Sequence, residues 1–204
     1  MERLKLEPAR TTLGKARTDF ADLLDKLSDD QLASPSLCSE WTVIDVAGHL
    51  VSLVELSKLQ LVAGVAKNKG DSDRFLGAVA KDFSVRGAAA MSASLRTNAD
   101  KQLKPFSEES MVADTAVHTL DVQRPLGLDP VLDKTVLRVA LDYSVGEFAK
   151  KFKNSVAPRL VANDIDWSAG SGPEITGTAE ALLLATNGRD VFEELEGAGT
   201  DLLR

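Results

Sequence analysis

Apolar residues recur at helical spacing through most of the chain, in blocks separated by short polar breaks. Leu13, Ala16, Phe20, Leu23, Leu24 and Leu27 form one stripe and predict a first helix from about Pro8 to Leu27. The segment SDDQLASPSLCSE ends it, because Pro35 cannot donate to a helical ladder and pushes the residue before it toward extended backbone. A second helix is predicted from Thr42, where TVID reads as a threonine cap with an acidic residue three positions on. Its stripe of Val43, Val46, Leu50, Leu53, Val54 and Leu61 is broken only by the small Ser57. A third helix is expected from about Ser72 to Leu95, after the turn-like KNKGDSD, and a fourth from near Ser107 to just before Pro125. A fifth follows from about Pro130 to Phe152.

After NSVAPR the pattern changes period. In RLVANDIDW, Val161, Ile165 and Trp167 alternate with Ala162, Asp164 and Asp166, as in a half-buried strand whose buried face carries Val161. SAGSGP then reads as a turn, EIT as a short returning strand, and Thr178 as the cap of a helix that stops at Asn187-Gly188. Asp190 and Glu193 suggest a further short helix. The expected fold class is mainly α: a helical bundle over residues 1–155 and a small α+β domain over residues 156–204. No internal repeat or low-complexity segment interrupts this division.

Charge narrows the function. A net charge of −7 and a pI near 4.9, with no basic run, argue against a partner held by phosphate neutralisation, so nucleic acid is not expected. The single cysteine excludes an internal disulfide and a cysteine-only metal cluster, and fits a reducing cytoplasm. The opening MERLKLEPARTT lacks the apolar run of a signal peptide. The most apolar stretch, Leu50 to Ala66, carries Glu55, Lys58 and Gln60, so no membrane span is expected and a soluble protein is.

Candidate chemistry gathers at the two histidines. Asp45 stands four residues before His49, and Asp114 four before His118. On a helix that spacing puts carboxylate and imidazole on one face, where they can converge as metal ligands or as a hydrogen-bonded pair. A two-histidine, one-carboxylate site must use both histidines. At about 100° per residue, His49 falls on the flank of its stripe near Leu53 while Asp45 points away; Asp45 is therefore expected to satisfy free N–H groups at the helix start. On the fourth helix Val112, Ala113, Ala116, Val117 and Leu120 cover one side, and Met111, Asp114, Thr115, His118, Asp121 and Val122 the other. Periodicity admits two readings of that second side: a solvated face with an exposed His118, or a polar site. Cys38 has no histidine or basic neighbour in sequence and reads as a small structural thiol rather than a nucleophile. No phosphate-binding glycine loop is present; GAGTD reads as a turn.

Three stretches resemble a known family. CSEWTVIDVAGHL (residues 38–50), DTAVHTLDVQRPLG (114–127) and GPEITGTAEALLLATNGRD with the closing GAGTDLLR look like the mycothiol-dependent maleylpyruvate isomerase family, part of the DinB/YfiT-like group of metal-binding four-helix bundles. The likeness covers nearly the whole chain, and the first two motifs stand in the right order and separation. It implies a DinB-like up-and-down four-helix bundle with a sterol-carrier-like tail. It also implies a divalent metal, Zn²⁺ or alternatively Ni²⁺, with mycothiol as co-substrate and an electrophilic small molecule as substrate. Carried over residue by residue, the metal ligands are His49, His118 and Asp114, the last standing where the family usually has glutamate. Aspartate is one methylene shorter, so either the helices sit closer or water intervenes. The resemblance gives Asp121 a supporting role, paired with Arg124. An anionic substrate would want an arginine, and Arg74, Arg86 and Arg159 are the candidates. The competing readings are a bundle that binds a metal or a ligand without turnover, and a helical interaction protein with no metal.

Overall fold

A computed structural model describes residues 8–129, 132–153 and 155–203. Its helices are α1 (Ala9–Leu24), α2 (Asp29–Leu32), α3 (Val43–Glu55), α4 (Lys58–Lys67), α5 (Ser72–Ser84), α6 (Ala88–Thr97), α7 (Glu108–Gln123), α8 (Lys134–Ala149) and α9 (Ala179–Thr186). Helices α1 and α3 each pack against both α6 and α7, which closes a ring of four; α5 lies on α3 and α8 on α7. The fold is the mainly helical, DinB-like bundle with a small sheet that pattern and resemblance led us to expect. Among the described residues no helix is long and apolar enough to cross a membrane.

Two of the expected helices are each split in two. The break after α3 falls at Ser57, whose hydroxyl accepts the Gln60 N–H while the Gln60 side chain accepts the Ser57 N–H. That reciprocal cap starts α4, and it makes Ser57 a boundary rather than a gap in one stripe. The next split follows Gly87, whose φ of 80° takes the chain out of helical conformation between α5 and α6. The expected start of the last bundle helix at Pro130 lies outside the described residues; α8 begins at Lys134, with the Asp133 carboxylate accepting the Thr135 N–H.

The sheet comprises β1 (Arg159–Ala162), β2 (Ser168–Ala169) and β3 (Glu174–Gly177) in the order β2-β1-β3. It corrects two expectations. The buried face of β1 carries Leu160 and Ala162, not Val161, and the strand ends before Trp167. The reason is Asp164, whose carboxylate accepts the Ala179 N–H at the start of α9 and so draws the chain off the strand line. Trp167 is nonetheless buried, its indole N–H donating to Asp142 at 2.8 Å. β3 runs parallel to β1, in register Leu160 to Ile175, rather than returning as a hairpin. In place of the expected helix near Asp190, a single 3-10 turn covers Phe192–Glu194.

Among the described residues, the apolar side chains of the tail join those of the bundle. Leu160, Trp167, Ile175 and the buried Leu182, Leu183 and Leu184 of α9 belong to the same apolar cluster as Leu120 of α7 and Leu137 and Leu141 of α8. Helix α9 thus fixes the loop that follows it against α7.

Gly48, one residue before His49, sets the distance between α3 and α5. A Cβ there would run into the Ala80 carbonyl oxygen, part of the α5 backbone, which no rotamer change can clear. Gly48→Ala is expected to lower stability by about 1–3 kcal/mol despite alanine's better helix propensity. Urea unfolding checks this, and an unchanged or raised midpoint would mean that the two helices do not pack this closely.

Candidate metal centre

His49 and His118 face each other from α3 and α7 with ring centroids 4.8 Å apart, and the indole of Trp41 stands 5.2 Å from the first and 5.9 Å from the second. Asp114 completes the group from one turn below His118. Its Oδ1 lies 3.4 Å from His49 Nε2 and 3.7 Å from His118 Nε2. One ligand atom from each of the three residues falls within 4.8 Å of the others. The structure therefore brings His49, Asp114 and His118 together. The shorter aspartate reaches both imidazoles directly.

The solvated-face reading of α7 is overturned. His118 is 8% exposed and Asp121 fully buried, and Met111, Thr115 and Val122 on the same side are buried too. That side faces the interior because α7 lies between α1, α3, α8 and α9. His118 Nδ1 stands 2.9 Å from Asp121 Oδ2. Asp121 in turn accepts two hydrogen bonds from Arg189, at 3.0 Å from Nε and 2.6 Å from Nη2. The expected partner, Arg124, instead pairs with Glu194 at 2.6 Å. Arg189 wins because it follows the α9 stop at Gly188, which aims it back at α7, whereas Arg124 caps the far end of α7 beside the Glu194 turn.

With Nδ1 engaged by Asp121, His118 turns Nε2 toward Asp114. Burial alone would raise the Asp114 carboxyl, but His49, His118 and Arg17 outweigh it and hold the group at about 2. It is an anion throughout the physiological range. Its other oxygen, Oδ2, is buried without a hydrogen-bond partner, as is His49 Nδ1. The donor set suits a divalent ion. Three ligand atoms about 2.0–2.1 Å from one tetrahedral centre stand roughly 3.3–3.4 Å apart, close to the 3.4 and 3.7 Å found here.

Asp45 takes no part. Its carboxylate accepts the Thr42 N–H at 3.1 Å and the Thr42 hydroxyl at 2.7 Å, at the start of α3. Cys38 lies within 4.8 Å of ligand atoms of His118 and Asp121. Burial, with the Asp121 charge adding to it, pushes its thiol up, away from the lowered range of reactive cysteines.

The three residues border a basin of about 840 Å³ that also exposes Trp41, Arg74, Lys81 and Arg189. Of the arginines singled out in the sequence, Arg74 lines this basin. Arg86 is paired with Glu55 at 2.8 Å, and Arg159 stands on the sheet 3.6 Å from Glu174. Arg189 was missed because NGRD reads only as a helix stop; its role depends on a contact 68 residues away. A separate cavity of about 520 Å³ on the α1 side touches none of the three site residues.

Fold and site together define a DinB-like helical bundle in which two buried histidines and the half-buried Asp114 open onto a polar basin. Residues 13–125, more than half of the chain, match the family model described as the mycothiol maleylpyruvate isomerase N-terminal domain, and the chain belongs to that family. Two crystal structures of the mycothiol-dependent maleylpyruvate isomerase, one of them a histidine-to-alanine mutant, share its fold with TM-scores of 0.58 and 0.57. Each is 11% identical and covers 97% of this chain and 94% of its own. No curated protein matches the sequence.

Proposed function

We propose that this protein is a metal-dependent, mycothiol-dependent enzyme that adds the thiol to an electrophilic small molecule, or isomerises the molecule through such an addition. The observation that carries this reading is the convergence of His49 Nε2, Asp114 Oδ1 and His118 Nε2 on the wall of an open basin. Two imidazoles and one carboxylate would hold Zn²⁺, or Ni²⁺ in its place, and leave a position open, as catalytic rather than structural sites do. Bound there, the ion supplies Lewis acidity that favours thiolate over thiol at neutral pH.

The chain's own residues do the rest. Asp121, held by Arg189, fixes the His118 ring and its tautomer. Trp41 walls the imidazoles from one side and limits water around them. Arg74, Lys81 and Arg189 offer donors to the oxygen atoms of a polar thiol in the basin. The Cys38 thiol beside the site is pushed up rather than activated, which suits a reaction whose sulfur comes from a co-substrate.

Elemental analysis of the purified, untagged protein should find about one equivalent of zinc or another divalent metal. The loaded protein should then consume an electrophile only when mycothiol is added. Absence of metal after reconstitution with both Zn²⁺ and Ni²⁺ would end this reading.

A further inference from the structure

The cavity on the α1 side of the bundle lies between α1, the end of α7 and the start of α8, away from the histidines. Its volume of about 520 Å³ is in the range that holds a small organic ligand. Helix α7 is its floor and gives it a different face: Thr119 and Gln123 line this cavity, whereas Asp114 and His118 line the basin. Leu23, Leu27, Leu128, Leu132 and Val136 make the walls apolar.

The floor asks for a hydrogen-bond donor. Gln123 is only 3% exposed, yet its Oε1 is buried with no hydrogen-bond partner among the described residues. An unpaired buried acceptor is costly, and a ligand N–H or O–H placed against it removes that cost. Thr119, also buried, donates its hydroxyl proton to the Thr115 carbonyl oxygen at 2.7 Å, so it too presents lone pairs.

Charge at the mouth sets the other end of the ligand. Asp19, Asp22, Asp129 and Asp133 line it against Lys15 and Lys26. Lys15 is already shared, 2.9 Å from Asp19 and 3.8 Å from Asp133. The neighbouring Arg96 is divided between Asp22 at 2.6 Å and Asp25 at 2.7 Å. Carboxylates outnumber cations even with Arg96 and Asp25 included, so the mouth favours a cation over an anion.

We propose that this cavity is a second binding site, for an arylalkylamine. The aromatic body lies against the leucines, a ring N–H or O–H donates to Gln123, and the ammonium group stands among the carboxylates at the mouth. The site depends on neither the metal nor the thiol.

Three probes with one indole body separate these contacts. Tryptamine carries both the ring N–H and the amine, 1-methyltryptamine lacks the ring N–H, and indole-3-propionate replaces the amine with a carboxylate. Each is titrated calorimetrically into the full-length protein, with and without EDTA. Tryptamine should saturate one site, about fivefold more tightly than 1-methyltryptamine and about tenfold more tightly than indole-3-propionate. Gln123→Leu should erase the preference for tryptamine over its methylated form, and it should not lower the melting temperature, because it removes an unpaired acceptor. Asp19→Asn combined with Asp129→Asn, a change confined to the mouth, should narrow the gap between amine and acid about threefold. A preference for the acid, equal binding of the methylated amine to the parent protein, or no saturable binding of tryptamine overturns the proposal. So does tryptamine binding that EDTA abolishes or that Gln123→Leu leaves unchanged, either of which would put the amine in the histidine basin.

Discussion

Replacing either His49 or His118 by alanine should reduce metal affinity by more than about 100-fold, beyond what losing an outer hydrogen-bond partner costs. On the proposed reading each imidazole would supply one of three ligand atoms, and the chain contains no third histidine to take its place. Neither truncation should unfold the protein. His118→Ala leaves Asp121 paired with Arg189, and His49→Ala removes a ring whose Nδ1 has no partner. Asp45→Asn is the control, because that carboxylate is engaged with Thr42 at the other end of the same turn. It should cost about 0.5–1 kcal/mol through the helix start and leave the metal content alone. Competition with a chromophoric chelator measures the affinities. Equal metal loss in Asp45→Asn, or full metal content in His118→Ala, would show that the ligand set is wrong.

How far such a site can be read in a sequence depends on where its contacts lie along the chain. The pairing of Asp114 with His118 is a local event, one helical turn, and spacing alone puts them on one face. The approach of His49 to Asp114 spans 65 residues, and only resemblance to a family with known ligands joined them in advance. Whether the polar side of α7 is wet or buried was not legible, since a helix that is polar on one face gives the same pattern against water and against a buried ionic network. Here the network is Asp121 with Arg189, from a loop set by α9, and neither residue carries a local signal for it. The helix breaks divide differently. Ser57 and Gln60 form a capping box that was open to reading, but the in-phase Leu61 masked it. The strand face was misjudged because Leu160, Val161 and Ala162 are apolar in succession, so alternation could not choose between registers.

Asp121→Asn should lower both stability and metal affinity, and the two losses have separate causes. The fully buried carboxylate accepts from Arg189 twice and from His118 Nδ1–H once, through two oxygens. Asparagine keeps one acceptor oxygen and replaces the other with an NH₂ donor. Whichever oxygen the NH₂ replaces, it meets an Arg189 donor, because Oδ1 accepts from Nε and Oδ2 from Nη2, and the guanidinium loses part of its satisfaction, at about 1.5–3 kcal/mol. If it replaces Oδ2 it meets His118 as well, and Nδ1 must then become the acceptor with the ring proton on Nε2, the atom that faces Asp114. Either placement loosens the ring, and the expected fall in metal affinity is about 10–100-fold, smaller than for loss of the imidazole itself. Urea unfolding in EDTA reports the first effect without the second, and chelator competition at a temperature where both proteins are folded reports the second. Two-dimensional ¹⁵N NMR of the imidazoles should show His118 shifted toward the Nε2–H form in the metal-free variant. Metal affinity matching the parent, alongside a clear stability loss, would reduce Asp121 and Arg189 to a buried ion pair that holds the tail to α7 and has no part in orienting His118.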